Sequence, residues 1–381
     1  MNWLTWMALV ILSGSLAIGG CAPKERNDIR IGVNAEITGS KPTVGDSCQK
    51  AAELLAGQVN AAGGLKVGDK KYPVTLFVED NEDKPEAAAA MAKKLISQDN
   101  VLAIIGPNAS GNAIPAARIC EDAKVIMISP WSTNPKTTEN LQYVFRACFL
   151  DDFQGEVMAK FARDNLKAKT AAVLYDVASE YNKGIAEFFK KSFEKMGGQV
   201  VAFESYTKDD KDFSSQLTKI KAANPDVLFL PNYYNEVPLQ AQQARRLGIT
   251  CPLIGSDSWG SSELLTLGGK DLEGGFFSTH YAPDMATVIA QKFIKDYEAK
   301  YGKKPDDVAA LTYDSGRLLL AAIVRAGSLD RQKVRDALAS ISEFAGVTGT
   351  MKFSGTGDPV KSAEIIQIKD GKFKFFTSVS P

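Results

Sequence analysis

Residues 101–135, VLAIIGPNASGNAIPAARICEDAKVIMISPWSTNP, contain one complete strand–loop–helix–strand unit. Residues 101–105 are a short, wholly apolar run, as expected of a strand covered on both faces. Residues 106–111 supply turn chemistry, 112–122 are patterned as a helix, and 124–129 form a second apolar run. Parallel neighbours need a crossover of this length, and a helix supplies it. The unit therefore predicts a parallel sheet with helices packed on its faces.

The same alternation extends outward from this unit. Upstream, strands are expected at 29–33 and 72–79. A helix is expected at 46–62, stopped by Gly63-Gly64, and another is opened by Pro85. A short strand at 143–146 closes the first series. The pattern then restarts, with helices at 153–166, 185–196, 213–223 and 237–247 between strands at 170–175, 200–204, 227–230, 252–255 and 275–279. Three helical stretches follow, at 288–301, 308–326 and 333–339. The last forty residues alternate at period two in 349–353, 363–368 and 373–378, with Asp370-Gly371 as a hairpin signal. An α/β chain of two lobes joined by several crossings is the expectation.

Composition agrees and excludes alternatives. The 381 residues carry 45 Lys+Arg against 45 Asp+Glu, with 45% hydrophobic and 24% charged residues, an ordinary globular balance. This length suits two domains, each burying its own core. Zero net charge gives no basic footprint for nucleic acid, and a single histidine, His280, rules out a His-based metal cage. No dinucleotide fingerprint, phosphate loop or nucleophile elbow is present. The expectation is a protein that is not an enzyme and holds no metal or cofactor.

Residues 1–20 contain no Asp, Glu, Lys or Arg. Their apolar core, residues 3–18, is too short for a span of about 20 residues and ends in Gly19-Gly20 before Cys21, as a cleavage site would. Ile18-Gly19-Gly20-Cys21 resembles the lipobox of bacterial lipoproteins, although the segment lacks the usual basic n-region. That resemblance implies a signal peptide over 1–20, a lipidated linker over 21–27, and anchoring to a membrane facing the periplasm or cell surface. Cys48, Cys120, Cys148 and Cys251 form no C-x-x-C pair, and both disulfides and isolated thiols fit their spacing.

In open α/β sheets ligands bind beyond the carboxyl ends of strands. In the first series those loops are Gly106–Asn112 and Ser129–Pro135, rich in hydroxyls and amides suited to an anion. Turn chemistry alone explains the same residues. In the second series Tyr181, Tyr233, Tyr234 and Asp257 follow strands. A carboxylate opposite an anion-binding loop is what a zwitterion requires. His280 reads as an inter-lobe loop residue.

The runs IMISPWSTNP, GPNASGN, DFSSQLTKIKAANPDVLFLPNYYNE and QARRLGI resemble the leucine/isoleucine/valine-binding proteins of bacterial ABC importers, over nearly the whole chain from about Ile29. The resemblance implies two Rossmann-like lobes with parallel sheets joined by three hinge crossings, the type I periplasmic binding protein fold. Lobe 1 would comprise 28–150 and 281–345, and lobe 2 151–280 and 346–381. By matching position, Ser110 and Thr133 would hold a ligand carboxylate, with Ser132 in the same loop. Asp257 would pair with the ammonium, in place of the family's glutamate. Tyr181 and Tyr233 would cover the ligand. Val44 stands where the family has an aromatic, Trp131 replaces a small residue, and Asn108 replaces an apolar one, which favours a polar ligand group. The implied role is binding an amino acid, branched-chain or related, as a monomer serving an ABC permease and ATPase. A non-amino-acid solute (amide, urea or aromatic acid) or a sensing role stays open.

Overall fold

The computed structural model describes residues 27–285 and 287–381. The expected signal peptide and the lipidation site Cys21 lie outside the described residues. Five parallel strands form the first sheet, in the order Val74–Asp80, Ile29–Ala35, Ala103–Ile105, Ile126–Ser129, Val144–Arg146. Their side chains alternate between two dry faces, as the period of a strand dictates. Ile105, Ile126 and Ile128 pack with Leu318, Leu319 and Ile323 of the helix Asp307–Ala326. Ile104, Met127 and Val144 meet Leu95, Ala113 and Ala117 of the helices Pro85–Ser97 and Ser110–Asp122.

The second sheet repeats this topology. Its parallel strands run Gln199–Tyr206, Thr170–Asp176, Val227–Phe229, Leu253–Gly255, Phe276–Thr279. An antiparallel hairpin, Ala363–Lys369 and Lys372–Val379, extends its far edge. In both sheets the first strand in chain order lies between the second and third. Each sheet thus reverses its winding beside that strand, and the crevice of an open α/β sheet opens at such a reversal.

The chain passes between the sheets three times. It leaves the first after Val144–Arg146, returns after Phe276–Thr279 through the helix Val288–Tyr301, and crosses again between Pro359–Val360 and Ala363–Lys369. The fold is that of type I periplasmic binding proteins.

Local differences from the sequence reading have simple causes. The expected strand 72–79 divides into Lys70–Tyr72, paired with Leu65–Val67, and Val74–Asp80. Pro73 lies between them and has no N–H for a ladder. The helix expected from residue 46 starts at Pro42, whose fixed φ suits a first turn. Strand Glu343–Gly346 was not expected; it pairs with Gly349–Phe353, which pairs with Pro359–Val360. Phe344 and Phe353 of this small sheet pack on the first sheet's core, and Arg146 N–H donates to the Gly357 carbonyl at 2.9 Å. Among the described residues no helix is long and apolar enough to cross a membrane. The four cysteines Cys48, Cys120, Cys148 and Cys251 are free thiols.

Candidate functional site

The two winding reversals face one another, and the residues just beyond them converge. Asn108, Ser110, Trp131, Tyr181, Tyr233 and Asp257 line one small space between the two sheets. Every one of these six was expected at a strand end. Ser132 and Thr133 are buried next to it. The Ser132 hydroxyl donates to Ser110 Oγ at 3.0 Å, and Ser110 Oγ also accepts from Asn134 N–H at 3.4 Å. Two polar atoms of the expected set are buried with no hydrogen-bond partner among the described residues, Thr133 Oγ1 and Asn108 Oδ1. Buried polar atoms are seldom left unpaired, so Asn108 Oδ1 is available to a guest, whereas the Thr133 hydroxyl also lies against the Asp151 carboxyl.

Asp257 sits at the start of a short 3₁₀ turn after Leu253–Gly255 and is 1% exposed. Its Oδ1 accepts from Gln154 Nε2 at 2.9 Å and from the Tyr181 hydroxyl, and its Oδ2 lies 3.1 Å from His280 Nε2. Three neighbours therefore fix one carboxylate beside the space. His280 stacks on Phe149, with ring centroids 3.7 Å apart. Burial pushes its pKa down to about 4, against a partial opposing pull from Asp257. At neutral pH the imidazole is uncharged and brings no positive charge to its contact with Asp257.

On the first-lobe side a second carboxylate is built in. Glu36 follows the strand Ile29–Ala35 and is fully buried. It accepts from Asn108 N–H at 3.1 Å, Ala109 N–H at 3.1 Å, Asn108 Nδ2 at 2.9 Å and Asn112 Nδ2 at 3.1 Å. The first amides of the loop expected to receive a ligand carboxylate are thus already engaged. Beyond those two amides the loop offers the Ser110 hydroxyl, and the neighbouring loop the Thr133 hydroxyl. Beyond it, Lys41 pairs with Asp83 at 2.5 Å and rests 4.5 Å over the Tyr233 ring. Burial would raise Asp83, but the Lys41 ammonium and the hydrogen bonds from Lys41, Ser40 and Asn112 together outweigh it and hold the carboxyl below its usual value.

Asp151 opens the helix Asp151–Asp164, is fully buried, and has no hydrogen-bond partner on either oxygen among the described residues. Burial drives its pKa well up, despite the Thr133 hydroxyl nearby, and Asp257's charge adds to the rise. Glu36, Gln154, His280 and Asp151 were not among the expected site residues. Glu36 and His280 carried a usable signal, each standing immediately after a strand, Ile29–Ala35 and Phe276–Thr279. The lobes also touch outside the space: Asn134 Nδ2 donates to the Glu180 carbonyl at 2.8 Å, and Lys136 pairs with the Glu180 carboxylate at 2.7 Å. Among the described residues no group of His, Cys, Asp and Glu could hold a metal ion.

A family profile described as periplasmic binding protein matches residues 28–372. The Leu/Ile/Val-binding protein homolog 3 of Brucella melitensis is 32% identical over 357 residues, covering 93% of this chain and 95% of that protein. The crystal structure of a leucine binding protein LivK from Thermotoga maritima superposes with a TM-score of 0.87 at 36% identity, over 93% of this chain and 99% of that one. The branched-chain amino acid transporter substrate binding protein LivJ from Streptococcus pneumoniae, solved in complex with isoleucine, gives a TM-score of 0.87 at 32% identity, over 93% and 100%. These are substrate-binding proteins, not enzymes.

Proposed function

The chain belongs to the periplasmic binding protein family, and we propose that it is the extracytoplasmic solute-binding component of an ABC importer, taking an amino acid, branched-chain or related, into the inter-lobe cleft. One observation carries this reading. A buried, oriented carboxylate, Asp257, shares one small space with Ser110, and the unpaired Thr133 hydroxyl lies in the adjoining loop. A zwitterion satisfies both ends at once: its ammonium meets Asp257, and its carboxylate meets the hydroxyls. Tyr181 and Tyr233, with ring centroids 5.2 Å apart, cover it from the second lobe, and Trp131 walls it from the first. The binding loops belong to separate lobes, so closure by hinge motion would complete the site.

In this proposal lobe 1 is 28–150 with 281–360, and lobe 2 is 151–280 with 361–381. The last crossing is set after 360 rather than 345 because strands 343–360 pair among themselves beside Arg146. The protein would act as a monomer, anchored through Cys21 at the periplasmic or cell-surface side of a membrane, and would deliver its ligand to a permease driven by an ATPase.

Mass spectrometry of ligand released by denaturing the purified protein tests the reading directly, supported by thermal-shift screening. A ligand at a hundredfold excess over its dissociation constant should stabilise the fold by about 2.7 kcal/mol. If no amino acid shifts the melting temperature, the proposal fails. The ring cluster of Trp131, Tyr181 and Tyr233 gives a second reading, an aromatic acid, which the same screen covers.

A further inference from the structure

We infer that Asn108 selects the ligand's side chain, and that the ligand is a small amino acid bearing a side-chain hydrogen-bond donor, a hydroxyl or an amide N–H. The inference rests on the amino-acid reading above and follows from the surroundings of one amide. Asn108 is completely buried and lines the space shared with Asp257 and Ser110. Its Nδ2 is spent on Glu36 Oε2 at 2.9 Å. The two Glu36 oxygens receive four N–H donors, two of them backbone amides that can only donate. Three of these donors, both backbone amides among them, hold Oε1 and so fix the carboxyl group, which leaves Oε2 as the acceptor for Asn108 Nδ2; turning the Asn108 amide would set its oxygen against that acceptor. Asn112 reinforces this arrangement, since its Nδ2 also bridges to Asp83 Oδ1 at 3.0 Å.

With Nδ2 fixed, Oδ1 is the end left free, and it has no partner among the described residues. An apolar ligand group against a buried, unpaired acceptor pays its full desolvation cost, whereas a hydroxyl satisfies it. A site built around a polar partner rejects the isostere that lacks it far more strongly than an apolar pocket rejects an added hydroxyl. Size is limited by Trp131. Its indole N–H donates to Asp307 Oδ2 at 3.2 Å, and the ring lies 6.0 Å from Tyr233, so this wall is tethered. Glu36 is thus a positioning residue and Asn108 the specificity-determining contact.

The test compares threonine with its apolar isostere valine by isothermal titration calorimetry on the whole protein. The unmodified chain should bind threonine more tightly by on the order of tenfold or more. Asn108→Leu should remove or reverse that preference. Glu36→Gln, which keeps the shape but lets the amide turn, should lower the threonine-to-valine ratio, a readout that loss of stability alone would not move. Equal or tighter binding of valine by the unmodified chain overturns the inference and leaves the amino-acid reading standing. An unchanged ratio in both variants also overturns it. If no amino acid binds at all, both readings fall.

Discussion

At the scale of single residues, the site is a contrast between two buried acids. Asp257 is held by three hydrogen-bonding neighbours, whereas Asp151 has none on either oxygen among the described residues. Asp257→Ala should weaken amino-acid binding at least a hundredfold in calorimetry, because the ammonium would be desolvated without a counter-charge. Asp151 predicts a pH effect. Its folded pKa is raised above the ordinary 3.8, so the stability it contributes is complete below that value and is lost as pH rises through the folded pKa. Asp151→Asn removes this loss. The variant's melting temperature relative to the parent should therefore improve between pH 5 and pH 8 in scanning calorimetry. That Asn108, Ser110, Trp131, Tyr181, Tyr233 and Asp257 converge was legible because chain position beyond a strand fixes location in an α/β sheet. Gln154 was not, since it lies within a helix and its role comes from a contact with Asp257 across 103 positions that no local pattern encodes.

At the scale of elements, the loop after Ala103–Ile105 depends on one glycine. Gly106 has φ +92°, and a Cβ there would stand 2.1 Å from the Asn34 carbonyl oxygen of the neighbouring strand. Gly106→Ala should cost at least about 2 kcal/mol in denaturant unfolding and weaken ligand binding as well, because the loop carrying Asn108 and Ser110 must move. The strand–helix alternation of this region was readable from its short apolar runs between turn residues. The Leu65–Val67 hairpin and Glu343–Gly346 escaped because three- and four-residue strands with exposed positions show too little period to register. Two helix starts slipped by four and two residues, where Pro42 and Ser110 begin the turn earlier than the apolar pattern did.

At the scale of the molecule, two sheets of the same winding meet across a cleft that three chain passages span. Contacts from Asn134 and Lys136 to Glu180 hold the lips together. The Lys136–Glu180 pair is exposed and contributes at most about 1 kcal/mol to closure. Opening should therefore be accessible without ligand. Small-angle scattering should show a smaller radius of gyration on saturation with ligand. An unchanged radius would contradict hinge closure. Repetition of the strand–helix pattern made the two lobes legible from sequence. The last crossing was less so, since strands 343–360 alternate like those that follow them but pair with one another.

The free thiols bear on how such motion could be watched. Cys48, Cys120 and Cys148 are buried with their pKa values pushed up to about 12, and half-buried Cys251 is pushed up to about 11, in each case first by burial. At neutral pH they are almost wholly protonated and poor nucleophiles toward maleimides. In the chain from residue 27 onward, a cysteine engineered at an exposed lip position such as Lys136 would outcompete them for dye. A single environment-sensitive fluorophore placed there, where Glu180 approaches, would turn the protein into an optical reporter of its own ligand.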